Sequence, residues 1–200
     1  MRTSSGTAAT IALLASFAVT GAGIPALPAL PRVHLNPEPA PIADFTLTDQ
    51  HGKPRAFSSL RGEPALVFFG FTHCPAACPQ TLGRLKLLHE SRDGALKAVR
   101  IVLVSVDGGR DTPARLKSWL APLSADFIGL TGDPKDTAEI AARFAAVFFK
   151  EPAAKDGSYN VQHTTQVYAV DKAGRLRASF NDAAVEDMAT IAGLLLDEPG

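Results

Sequence analysis

Two apolar runs limit what this chain can fold into. PALVFFGF (64–71) has no polar side chain to turn toward water, and VRIVLVSVD (99–107) has only Arg100 and Ser105 before its closing Asp. A strand with one wet face alternates polar and apolar residues. Runs like these are buried on both faces, which requires a sheet covered by helices on each side. After Pro79, Leu82, Leu85 and Leu88 recur at the spacing of one helix face, which predicts a helix to about residue 92. Strand, helix, strand in this order is the unit of a parallel sheet.

The alternation continues. RDTPARLKSWL (110–120) predicts a helix with Asp111 or Thr112 as cap and Pro113 in the first turn. DFIGL (126–130) reads as a third strand, and GDPKDTAEIAARF (132–144) as a helix opened by Asp-Pro. A loop or small hairpin over 147–160 follows. TTQVYAVD (164–171) and RLRASF (175–180) read as a hairpin about Lys172-Ala173-Gly174, and a closing helix is expected over about 184–196. Upstream, DFTLTDQHGKPRAF (44–57) alternates around a Gly turn, as a small β-hairpin does. The fold class is therefore α/β: a central mixed sheet flanked by helices, with an N-terminal β-hairpin extension. A cysteine pair where a strand passes into a helix gives it a thioredoxin-like look.

The first 42 residues have a different character. Arg2 is the only charge before Arg32, and residues 8–24 are apolar around ATIALLASFAV. A basic start followed by such a run predicts a signal peptide or a membrane anchor over 1–24. Six prolines between 25 and 41 then predict an extended, semi-rigid linker over 25–42. The globular domain is expected over 43–200. Twenty basic residues balance twenty acidic ones, so no positive field suggests a nucleic-acid partner.

Cys74 and Cys78 are the only cysteines. A disulfide between residues four apart closes too short a loop to brace a domain, so their role is read as chemical. Pro79 places Cys78 near a helix N-terminus, where free N–H groups and the helix dipole favour thiolate. Three intervening residues differ from the Cys-x-x-Cys of a thioredoxin redox pair. That spacing permits a disulfide and also lets two sulfurs converge on one ion. A third ligand then has to come from elsewhere. His34 lies in the proline-rich stretch, His51 in a hairpin turn, and His89 among Lys86, Glu90 and Arg92 on what reads as a solvated face. His73 adjoins the pair and reads as a neutral surface residue. His163 stands before a late strand, in VQHTTQVYAVD, where a thioredoxin-like sheet brings the chain toward the first strand–helix turn. Two sulfurs and an imidazole suit Cu(I), and Cu(II) with an added oxygen. Zinc accepts the same donors but prefers four. A histidine in that place can equally serve the structure alone.

FFGFTHCPAACPQTL, SVDGGRDTP, FIGLTGDP and VQHTTQVYAVD, in this order, resemble the Sco/SenC family of copper-binding assembly factors for the CuA centre of cytochrome c oxidase. The likeness covers roughly 43–196, and the N-terminal apolar segment also looks like that family's anchor. It implies that Cys74, Cys78 and His163 are the copper ligands and that the domain lies on the periplasmic side of a bacterial inner membrane. It implies as partner the oxidase subunit carrying CuA, with another copper chaperone or a thiol reductase as further partners. The chain departs from the family pattern at three places. Ala76 and Gln162 stand where members often carry acidic residues, and Gly108-Gly109 where they carry Pro-Glu. No ligand is lost, but negative charge near the site is. The competing expectation is an exported thiol–disulfide oxidoreductase, which uses the two thiols and has no need of His163.

Overall fold

The computed structural model describes residues 26–199; the expected signal or anchor segment over 1–24 lies outside them. In chain order the strands and helices are β1 (Val33–Leu35), β2 (Thr46–Asp49), β3 (Pro54–Ala56), β4 (Ala65–Gly70), α1 (Ala77–Glu90), β5 (Arg100–Ser105) and α2 (Pro113–Leu120). They continue with β6 (Ile128–Thr131), α3 (Pro134–Ala142), β7 (Phe148–Lys150), β8 (Val161–His163), β9 (Val167–Val170), β10 (Leu176–Phe180) and α4 (Val185–Asp197). Two 3₁₀ segments, Phe57–Leu60 and Arg92–Ala98, were not foreseen.

Eight strands form one sheet in the order β1-β10-β9-β4-β5-β6-β2-β3. β4, β5 and β6 run parallel at its centre, and β9 and β2 join them antiparallel on either side. Every residue of β4 is buried, and so is all of β5 after Arg100, as their unbroken apolar character requires. α1 packs with α4, and α2 lies on β6. The β2–β3 hairpin extends the β6 side of the sheet. The mixed sheet flanked by helices, with its early hairpin, is the expected architecture.

The helix starts follow the chemistry of the sequence. The Thr112 side chain, not that of Asp111, accepts from the Arg115 N–H and caps α2, with Pro113 in the first turn. Asp133 caps α3 in the same way ahead of Pro134. α1 begins two residues before Pro79, so the proline falls within its first turn, where a missing N–H costs nothing.

Three expectations need correcting. Part of the stretch read as an extended, semi-rigid linker over 25–42 belongs to the sheet: β1 pairs antiparallel with β10, Val33 opposite Phe180 and Leu35 opposite Ala178. Asp182 fixes this edge, taking Arg32 on one carboxylate oxygen (2.8 Å) and Arg84 of α1 on the other (2.7 Å). His89 is not on a solvated face. It is 3% exposed, with its Nε2 3.3 Å from the Lys97 carbonyl and its ring edge-to-face with Phe127. Finally, His163 lies on a strand of its own. β8 pairs with β7 in a separate two-stranded ladder, Phe148 opposite His163.

Candidate metal centre

The cysteine loop hangs from the end of β4. Gly70 is required there: a Cβ would lie 2.7 Å from Phe68 Cε1 and 2.9 Å from Cys78 Sγ. Phe71 and Thr72 are buried beyond it. The fully buried Asp111 carboxylate accepts from the Thr72 N–H (3.0 Å), the Thr72 hydroxyl (2.6 Å) and the Ser105 hydroxyl (2.7 Å). A buried acceptor with three hydrogen bonds holds the loop firmly. The Cys74 N–H then turns back to the Phe71 carbonyl, and α1 opens at Ala77.

The structure brings the three sequence-predicted residues together. Donor atoms of Cys74, Cys78 and His163 all lie within 4.8 Å of one another. Both cysteines are free thiols; Cys78 is buried and Cys74 half-buried. The Cys78 N–H points at Cys74 Sγ (3.4 Å), and Cys78 Sγ lies 3.4 Å from His163 Nε2. His163 Nδ1 sits 3.0 Å from the Thr164 carbonyl. A carbonyl can only accept, so Nδ1 carries the hydrogen and the Nε2 lone pair faces the sulfurs. Phe68 and Phe71 stand edge-to-face against the ring on two sides. His34, His51 and His89 take no part in the cluster.

The electrostatics differ from the sequence-based expectation at Cys78. Burial, with smaller contributions from Cys74 and Asp111, pushes its thiol well above the ordinary range, against a hydrogen bond with the Phe71 backbone. Desolvation outweighs the helix N-terminus that was expected to favour thiolate. Without metal, Cys78 is therefore a protonated thiol that can donate to Nε2. Burial also lowers the pKa of His163, partly offset by backbone hydrogen bonds at Thr164 and Phe69, so the imidazole is neutral at pH 7. A neutral imidazole and two thiols form a donor set suited to a metal, which would bind with release of the thiol protons.

A second cluster of His73, Asp107 and Asp111 lies alongside. The oxygens of both carboxylates are engaged: Asp111 as described, and Asp107 by the Tyr159 hydroxyl (2.8 Å) and Arg110 Nε (2.5 Å). These groups build the framework behind the site. Sequence reading passed over Asp107, Arg110 and Tyr159. The available signal was a lone aromatic in the polar stretch EPAAKDGSYN (151–160).

The family profile SCO1/SenC matches residues 34–194. The chain belongs to the SCO1/SenC family. It is similar to a putative copper-binding protein of Stutzerimonas stutzeri, 34% identical over 148 residues that cover 73% of this chain and 72% of that one. Among solved structures it resembles ScoI of Bradyrhizobium japonicum with copper bound, at 36% identity and TM-score 0.70, over 78% of this chain and 100% of that one. It also resembles BsSco, a member of the Sco family of cytochrome c oxidase assembly proteins in which a disulfide switch was identified. There the identity is 28% and the TM-score 0.64, over 80% of this chain and 96% of that one. The thioredoxin-like fold expected from the sequence is thus the fold of its SCO1/SenC relatives.

The three departures from the SCO1/SenC pattern have definite surroundings. Ala76 is exposed beside the cysteine loop, so no carboxylate faces the sulfurs from that position. The Gln162 amide donates to Glu151 across the β7–β8 ladder (2.5 Å). At Gly108 a Cβ would come within 1.9 Å of the Gly132 carbonyl oxygen, so a proline cannot stand there unless the turn between β6 and α3 moves.

Proposed function

We propose that this SCO1/SenC protein binds one copper ion through Cys74, Cys78 and His163 and delivers it to, or prepares, the CuA site of cytochrome c oxidase. The observation that carries this is the convergence of two sulfurs and one imidazole nitrogen within 4.8 Å, with the nitrogen lone pair turned inward. Two soft sulfurs and one nitrogen satisfy Cu(I) at low coordination number; Cu(II) would need a further oxygen donor. With Ala76 and Gln162 in place of carboxylates, no acidic side chain is offered from those positions. The site therefore favours the cuprous ion, whose charge asks for less compensation.

The copper relatives support this reading, as does BsSco's place among oxidase assembly proteins. The reading places the domain outside the bacterial inner membrane, tethered or released by residues 1–24. Among the described residues no helix is long and apolar enough to cross a membrane.

A second reading rests on the sulfurs alone. Cys74 Sγ and Cys78 Sγ lie within 4.8 Å of each other as free thiols, and a related protein carries a disulfide switch. The chain would then reduce partner cysteines by thiol exchange. Metal analysis of the purified full chain beside His163→Ala separates the two. Delivery predicts that copper content collapses in the variant while exchange with a small disulfide continues. Normal copper content in His163→Ala would leave the reductase as the function.

A further inference from the structure

The two halves of the site come from parts of the chain that no backbone ladder joins. The cysteines belong to the β4–α1 turn of the main sheet. His163 ends β8, whose ladder partner among the described residues is the three-residue β7 alone. The ten residues between β7 and β8 are mostly exposed, while the imidazole itself is held by the Thr164 carbonyl and by the Phe68 and Phe71 rings. A further tie, from the hairpin to the end of β5, runs through Tyr159, four residues before His163.

The Tyr159 hydroxyl donates to Asp107 Oδ1 (2.8 Å). Burial, and then the Asp107 carboxylate, raise the phenol's pKa, so it stays protonated and able to donate. The Arg110 guanidinium lies 3.6 Å from the Tyr159 ring centroid, and its Nη1 donates to the Tyr159 carbonyl (3.0 Å). Its Nε donates to the other oxygen of Asp107 (2.5 Å). Stacking, a backbone bond and a shared carboxylate therefore close one clasp. The Lys150 ammonium, from β7, lies 3.6 Å from the same ring. From Asp107 the bonding continues: its N–H donates to Ser105 Oγ (3.1 Å), Ser105 donates to Asp111, and Asp111 holds Thr72, two residues before Cys74. The path Tyr159–Asp107–Ser105–Asp111–Thr72 runs unbroken from the histidine hairpin to the cysteine loop. Arg110 also faces the Phe71 ring (5.9 Å), which stands edge-to-face against His163.

We propose that Tyr159 and Arg110 are positioning residues that set His163 at binding distance from the two cysteines, by clasping the β7–β8 hairpin to the end of β5. This deepens the copper reading and rests on it. When the clasp is closed, three donors converge. When it opens, His163 withdraws with its hairpin while the cysteine loop, held by Asp111, stays in place. The clasp thereby gives the protein a three-donor and a two-donor state without any change in the thiols. A recipient that loosened it would weaken the grip on the ion at the moment of transfer.

The test uses Tyr159→Phe, which keeps the ring and removes only the hydroxyl, beside Arg110→Ala and Arg110→Lys, in the full chain purified in detergent. Metal-free protein is read first, by the nitrogen resonances of the His163 imidazole. These should move from a single fixed tautomer toward the averaged values of a free ring in Tyr159→Phe and Arg110→Ala, while the Cys74 amide signal stays put. Cu(I) affinity, measured against a competing chelator, should fall about tenfold in Tyr159→Phe, the scale of one lost hydrogen bond to a charged acceptor. It should fall further in Arg110→Ala and recover in part in Arg110→Lys. In Cu(II)-loaded samples the nitrogen hyperfine signal should weaken in the same order. Unchanged imidazole resonances with Cu(I) affinity within twofold of wild type overturn the proposal. A freed imidazole with undiminished affinity overturns it as well, because His163 would then bind without help. Failure of the wild-type chain to bind Cu(I) strikes the copper reading instead, and the metal-free resonances then decide the clasp. Should Arg110→Ala not fold, Tyr159→Phe carries the test by itself.

Discussion

The cysteine wall and the histidine wall of the site are built on opposite plans. Cys74 and Cys78 sit where a fully buried parallel strand meets a helix, behind a carboxylate that accepts three hydrogen bonds. His163 sits on a three-residue strand beside exposed chain, its ring between Phe68 and Phe71 and its hairpin clasped through Tyr159 and Arg110. Under the proposed copper reading, this difference would let the site keep its thiols in register while varying its third donor. Segments with much solvent-exposed backbone open at low cost, and the chain joining β7 to β8 is mostly exposed although Val161 beside His163 is buried in the core.

The hardest blow to the contrast is to loosen the rigid wall. Asp111→Ala leaves the Thr72 N–H, the Thr72 hydroxyl and the Ser105 hydroxyl without their acceptor, and should cost about 3 kcal/mol of unfolding free energy. Urea unfolding measures it. A loss under about 1 kcal/mol would mean that water replaces the carboxylate easily and that the cysteine loop is not rigid after all. Tyr159→Phe on the histidine wall should cost less, because it removes one hydrogen bond rather than three.

Protons distinguish the walls next. The Cys78 pKa is raised and the His163 pKa lowered, so in the proposed three-donor site the metal would displace a proton from the cysteine wall at neutral pH but none from the imidazole. Cu(I) affinity should therefore rise with pH by about tenfold per unit for each thiol proton released. The slope should steepen only in acid, where pH falls through the lowered pKa of His163 and a proton competes for Nε2. Competition titrations across pH 5–9 read this. A flat profile would mean that the thiols are already ionised, contrary to the burial of Cys78.

The smallest effect tests one contact of the clasp. Lys150 is exposed and touches Tyr159 only through its ring face, so Lys150→Ala should change stability by about 0.5 kcal/mol, as exposed cation–ring contacts do. A thermal shift much larger than that would move weight from Arg110 to Lys150 in holding the hairpin.

What the sequence revealed follows the same division. β4 and β5 were legible because burial on both faces leaves an unbroken apolar run, and α2 and α3 because a capping side chain and proline mark their starts. The cysteine pair announced itself by spacing. β1 was hidden because three residues carry no period, and its pairing with β10 depends on a strand some 145 residues away. His89 was misread because its sequence neighbours are charged, whereas its burial comes from Phe127 and the 3₁₀ segment that follow later in the chain. Cys78 was placed correctly but its charge state was not: helix position can be read along the chain, while depth beneath Phe68, Phe71 and the hairpin cannot. Tyr159 and Arg110, 49 residues apart, meet only through the fold.

The edge strand β1 has a consequence for how the domain can be cut free of its N-terminal segment. A chain started at residue 43, the boundary the prolines suggest, would lack β1 and leave the outer N–H and C=O groups of β10 bare. An uncovered strand edge is a template for another copy of the same chain. Asp182 would also lose Arg32 and keep only Arg84. A fragment cut before Leu30 keeps β1 in place, together with the Val33 N–H to Leu30 carbonyl bond that turns the chain into it. The stretch that reads as a tether is also the selvedge of the sheet, and trimming it invites the fabric to stick to its neighbour.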